Sequence, residues 1–141
     1  MMLRKQALID SGFLFALYNR DDSHHADAVK VIQDNQDRFI VPYVVLTEVG
    51  YLFRRAGGSL ALQNFLVAFA EWRIPFEVLT ESDLLRMREI LKKYADANFD
   101  FVDCCLMAMT ERMNITRVCT FDRRDFSMFV PKHVPHLDLL P

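Results

Sequence analysis

Short apolar runs alternate with longer amphipathic stretches from one end of the chain to the other. Ala7-Leu8-Ile9 stops at Asp10-Ser11, which predicts a buried strand turning into a helix. Ser23 reads as the N-cap of a helix through about Asn35, with Ala26, Val29 and Ile32 on one face. Phe39-Ile40-Val41 predicts a second strand, and Pro42 opens the next helix, where its missing N–H costs nothing. Val45, Val49 and Leu52 follow at helical spacing until Gly57-Gly58 stops them. Ser59 to Trp72 predicts a further helix, apolar nearly all round, and so either sandwiched or in a subunit interface.

The alternation continues through the second half. Phe76 to Leu79 predicts a third strand, and Thr80 with Asp83 has the form of a capping box for a helix carrying Leu84, Met87, Leu91 and Tyr94. A polar stretch from Ala95 to Asp100 leads to a helix over about Phe101 to Met113. Arg117 to Phe121 predicts a fourth strand and Leu137 to Leu140 a fifth. Strands alternating with helices give an α/β fold, a three-layer α/β/α domain around a mainly parallel sheet of four or five strands. With 141 residues, 52% of them apolar, and only four Gly and five Pro, the chain can bury one substantial core, and residues 1–141 are expected to form a single domain.

Against this apolar background four acids are conspicuous: Asp10, Glu48, Asp103 and Asp122. A carboxylate beside buried positions has to be paired, protonated or bound to a metal. None has a local cation. On a helix Glu48 meets Val44, Val45, Tyr51 and Leu52, and Asp103 meets Phe99, Asp100, Leu106 and Met107. A hard divalent cation, Mg²⁺ or Mn²⁺, is the natural counter-charge for converging carboxylates. In open α/β sheets ligands bind beyond the carboxyl ends of the strands, and Asp10 and Asp122 each follow a predicted strand.

The net charge of −2 does not by itself mark a nucleic-acid binder, although Arg54-Arg55, Lys92-Lys93 and Arg123-Arg124 form local basic pairs. Solvated helix faces account for such pairs equally. Cys104, Cys105 and Cys119 form no C-x-x-C pair and read as reduced packing residues of a cytoplasmic protein. Met1-Met2-Leu3-Arg4-Lys5 does not lead into a secretory signal, and no apolar run is long enough to span a membrane.

In this order and spacing, Ala7-Leu8-Ile9-Asp10-Ser11-Gly12-Phe13-Leu14, Thr47-Glu48-Val49, Phe101-Val102-Asp103-Cys104-Cys105-Leu106 and Thr120-Phe121-Asp122-Arg123-Arg124-Asp125-Phe126 resemble the PIN-domain ribonucleases. The likeness is greatest to the VapC-type toxins of bacterial toxin–antitoxin pairs and covers nearly the whole chain. It implies that Asp10, Glu48, Asp103 and Asp122 form a catalytic, metal-binding quartet taking Mg²⁺ or Mn²⁺. It also implies an RNA substrate, a VapB-like antitoxin partner and a homodimer built in part from the Ser59–Trp72 helix. Cys104-Cys105 departs mildly from the small residues usual in the family. Asp100 rivals Asp103 for the third place, but Asp103 better fits the position before the helical run.

Around the quartet, Ser11 and Thr120 are expected as hydrogen-bond donors, Asp96, Asp100 and Asp125 as outer-sphere carboxylates, and Arg123 and Arg124 as phosphate contacts. Each has a plainer reading: Asp10 as a helix cap or Asx turn, Asp122 as a turn carboxylate answering Arg123 or Arg124, Ser11 and Thr120 as turn formers, and the loop aspartates as solvated groups. His24 and His25 are adjacent and so point about a hundred degrees apart on a helix; His24 is the one expected to cap or to touch substrate. His133 and His136 lack the surroundings of a zinc site. Two other functional classes compete: a catalytically silent PIN-like module that binds RNA or protein, and a phosphatase or receiver of similar shape. A haloacid-type phosphatase calls for Asp-x-Asp starting at Asp10, which Gly12-Phe13 does not supply.

Overall fold

A computed structural model describes residues 4–141; the first three residues of the leader reading, Met1 to Leu3, lie outside it. Five parallel strands form one sheet in the order β3-β2-β1-β4-β5. They are β1 Gln6–Ile9, β2 Arg38–Pro42, β3 Phe76–Glu77, β4 Arg117–Cys119 and β5 Asp138–Leu140. β1 lies at the centre, and Ala7, Leu8 and Ile9 are wholly buried, as a strand covered on both faces requires. The helices are α1 Ser11–Tyr18, α2 His25–Asp34, α3 Tyr43–Trp72, α4 Glu81–Lys93, α5 Phe101–Arg112 and α6 Arg123–Met128. Here α1 packs on α2 and α3, and α4 packs on α5.

The glycine pair acts as expected. Within the α3 span, Gly57 and Gly58 leave helical geometry, and Gly58 has φ +72°, a conformation that a residue with a Cβ adopts only at a cost. The segment is thus two helices meeting at a kink. The second buries Phe65 and Phe69 but leaves Leu60, Leu66 and Val67 exposed.

Several boundaries differ from expectation. Ser23 does not cap α2: the cap position is His24, and the Asp22 carboxylate accepts the His24 N–H at 2.8 Å instead. Strands β3 and β4 are shorter than their apolar runs. The chain leaves the β4 ladder at Thr120, whose N–H still reaches the Leu140 carbonyl at 2.8 Å, and Asp122 then starts α6, a helix the periodicity did not announce.

Helix α4 also presents a different face. The capping box is present, but Leu84 and Leu91 are 45% and 41% exposed, while Asp83, Met87 and Ile90 face inward. The reason is electrostatic. Arg112 Nε on α5 donates to both Asp83 carboxylate oxygens at 3.0 Å, and this pair sets the rotation of the helix. Asp83 is 2% exposed, so Arg112→Met would strand a buried charge and is expected to cost about 3 kcal/mol in urea unfolding. A loss under about 1 kcal/mol would reduce the pair to the rank of a surface bridge.

Candidate active site

Three chain segments bring acids to the carboxyl edge of the sheet, at the β1/β4 position where the strand order reverses. Asp10 follows β1 and caps α1, accepting the Phe13 N–H at 2.8 Å. Asp122 follows β4 and caps α6, accepting the Asp125 N–H at 3.3 Å. Asp100 caps α5, accepting the Asp103 N–H at 2.8 Å, and so holds the first turn that carries Asp103. The capping reading of Asp10 is therefore correct and yet incomplete, and Asp100 and Asp122 are caps that the sequence did not show. A cap uses one carboxylate oxygen and aims the carboxylate at a helix N-terminus, whose positive end eases the crowding of negative charge.

That crowding is visible in the proton affinities. Burial, opposed by hydrogen bonds from Thr120 and the Phe13 N–H and reinforced by Asp122 and Glu48, pushes Asp10 up to about 7. Burial followed by repulsion from Asp100, Asp10, Asp122 and Asp125 pushes Asp103 up to about 8. Glu48, half-buried on α3, is raised by burial and by Asp100 and eased by Ser11. Ser11 Oγ lies near Glu48 but makes no hydrogen bond of normal geometry; it is buried and without a partner. Among the described residues, the ion pairs within 4.0 Å involve none of Asp10, Glu48, Asp100, Asp103 and Asp122.

The tightest convergence was not the one expected. One carboxylate oxygen each of Asp103, Asp122 and Asp125 lie within 4.8 Å of one another, whereas Asp10 and Glu48 stand outside that group. Asp125, expected farther out, belongs to this oxygen group. Its signal in the sequence was the Asp122-x-x-Asp125 spacing of a cap and the third residue of its helix. Asp96 lies exposed on the 3-10 turn Ala95–Ala97, and no carboxylate shift at the site draws on it.

Thr120 is fully buried, and its hydroxyl accepts the Asp122 N–H at 2.9 Å. Of the two arginines, Arg124 reaches Asp125 at 3.3 Å from an exposed position, while Arg123 donates to the Pro141 carbonyl. A cavity of about 560 Å³ opens at the opposite, amino ends of the strands, between Arg4, Lys5, Arg38 and Thr116, and gathers no carboxylate.

The sequence profile of the PIN domain matches residues 7–129, a span that holds every acid described above. The chain belongs to the PIN domain family.

Relatives agree with this placement. Ribonuclease VapC26 of Mycobacterium tuberculosis is 24% identical over 124 residues, covering 88% of this chain and 92% of that protein. The crystal structure of VapC20 from the same organism, a Sarcin-Ricin loop cleaving toxin, superposes with a TM-score of 0.78 at 23% identity, over 91% of this chain and 98% of that one. VapBC2 of Rickettsia felis, solved bound to a DNA fragment from its promoter, gives a TM-score of 0.68 at 13% identity, over 95% and 96% of the two chains. At these identities the structures establish a shared fold.

In this PIN domain the donor set suits a hard divalent cation. It is all oxygen, it is partly desolvated, and among the described residues its mutual repulsion is answered within 4.0 Å by Arg124 at Asp125 alone. Asp103, Asp122 and Asp125 would hold the ion, with Asp10 beside them.

Proposed function

We propose that this PIN domain is a Mg²⁺- or Mn²⁺-dependent endoribonuclease, the toxin of a VapBC-type pair, formed by residues 1–141 as one domain. The observation that carries the reading is the convergence of carboxylates on the switch point of the sheet, where among the described residues the one ion pair within 4.0 Å is that of the exposed Arg124 with Asp125. The reaction is hydrolysis: a water oxygen bonds to phosphorus, the bond to the 3′ oxygen breaks, and that oxygen takes a proton, leaving 5′-phosphate and 3′-hydroxyl ends. When bound, the divalent ion supplies acidification of water and neutralisation of phosphoryl charge.

The chain's own residues do the rest. Asp103, Asp122 and Asp125 fix the cation, and Asp10 and Glu48 extend the negative field on the side of β1 and α3. Asp10, the most buried of the group, is held by the Phe13 N–H and Thr120 and adds its negative charge beside the attacking water. Thr120 holds the turn that sets Asp122, and Arg124 reaches phosphate from the rim. Single-stranded or loop RNA fits such an open edge better than a duplex.

By the same reading the protein works in the cytoplasm. An antitoxin segment bearing an Arg blocks the acids, and the exposed Leu60, Leu66 and Val67 of α3 serve a homodimer. Among the described residues no helix is long and apolar enough to cross a membrane, and the three cysteines are free and buried.

The test is cleavage of a panel of structured RNAs with Mn²⁺, Mg²⁺ or EDTA. Cutting with either metal, none in EDTA, and 5′-phosphate ends are expected. A folded protein that binds neither ion and cuts nothing would instead support the silent RNA- or protein-binding module.

A further inference from the structure

We infer that His24 and Phe121 form a stacking subsite for an unpaired nucleobase beside the scissile phosphate; the word scissile rests on the ribonuclease reading above, the subsite itself on geometry. Three rings make a ladder. The His24 imidazole lies on Phe121 with centroids 4.3 Å apart and planes 16° from parallel, and Phe121 lies on Phe13 at 5.4 Å and again 16°. Phe13 is fully buried, Phe121 half-buried and His24 exposed, so the ladder runs outward from the core and ends in a flat ring in solvent.

Both inner rungs are fastened to the acid cluster. The Phe13 N–H donates to Asp10, and Phe121 stands between Thr120, which orders the turn, and Asp122. A base laid on this ladder therefore places its own phosphate near the carboxylates.

The outer rung is pre-built. The Asp22 carboxylate accepts the His24 N–H at 2.8 Å, the His24 carbonyl accepts the Ala28 N–H at 3.0 Å, and the neighbouring His25 ring is turned away to the Ala16 carbonyl at 2.8 Å. The two histidines thus diverge and cannot share a metal. His24 makes no side-chain hydrogen bond that would explain a ring held flat over Phe121. The open face of the exposed ring is flat and apolar, which leaves the face of a base as the matching ligand. Stacking of this kind accepts any base and contributes about five- to a hundredfold in affinity per base.

The probe is a single-stranded RNA dodecamer carrying 2-aminopurine at an internal position, titrated with wild type, His24→Ala, His24→Phe and His24→Trp in Mn²⁺ and in EDTA. Wild type, His24→Phe and His24→Trp are expected to quench the fluorescence, while His24→Ala weakens binding about tenfold and loses the quench. An RNA that is cut should show the same pattern in KM with kcat nearly unchanged, and removing the flanking base should make wild type behave like His24→Ala. No quench by wild type, or a quench indifferent to His24→Ala, overturns the subsite. Cleavage with no quench sinks the subsite and leaves the nuclease standing; quench without cleavage does the reverse.

Discussion

Asp103→Asn is expected to lower RNA cleavage about 10³-fold while the protein stays folded, the scale of losing a charge that acts on the transition state. Asp103 feels four other acids at the edge: Asp100, Asp10, Asp122 and Asp125 each raise its proton affinity. It also shares the tight oxygen group with Asp122 and Asp125. An amide keeps the size and removes the anionic oxygen, so the cation loses its best-placed ligand. The backbone that matters here is held by Asp100, whose carboxylate accepts the residue 103 N–H in either variant. Relief of repulsion should leave the melting temperature of the metal-free variant equal to wild type or above it at pH 8. Retention of more than a tenth of wild-type cleavage would remove Asp103 from the site.

The second large effect is on stability in EDTA. Asp10 and Asp103 titrate in the fold near 7 and 8, far above the 3.8 of an unperturbed aspartate, because burial and neighbouring carboxylates oppose ionisation. Between about pH 4 and those values the folded chain holds protons that the unfolded chain has released. Unfolding is then favoured by rising pH, so stability is greatest on the acid side of the window and is lost as pH climbs through 7 and 8. Glu48 and Asp125 shift in the same direction. The metal-free protein should melt on the order of 10 °C lower at pH 8 than at pH 5.5. Millimolar Mn²⁺ should recover most of that at pH 8 and little at pH 5.5, since the cation competes with protons for the same oxygens. Identical melting temperatures at the two pH values in EDTA would mean that the carboxylates are not crowded as described.

Both effects come from acids that were legible as acids but not as a geometry. Asp10 and Asp103 stood out because apolar neighbours leave a carboxylate without water, a purely local signal. Asp125 was legible only as an outer-sphere carboxylate, since nothing in Asp122-Arg123-Arg124-Asp125 shows that α6 forms and brings its oxygen within 4.8 Å of those of Asp103 and Asp122. His24 was legible as a residue to cap or to touch substrate, but its partner was not: residues 24 and 121 meet only because α2 starts beside the end of β4.

The α4 helix shows the same boundary in reverse. Its capping box was readable from Thr80 and Asp83, two residues three positions apart that interact within one turn. Its buried face was not, because Arg112, on another helix, supplies the charge that draws Asp83 inward and turns Leu84 and Leu91 to solvent.

By itself the sequence determined the alternation of the five strands with the helices other than α6, the break at Gly57-Gly58, and that Asp10 sits where water is scarce, whereas Asp122 is exposed. These depend on side-chain periodicity, backbone freedom and desolvation, all properties of residues a few positions apart. Only the tertiary structure decided which acids share a cation-sized group, which face of α4 is buried, and that an imidazole finishes a ladder of phenyl rings at the site. Those depend on charge and contact between segments many residues apart, distances that the chain acquires only once β1 and β4 pair.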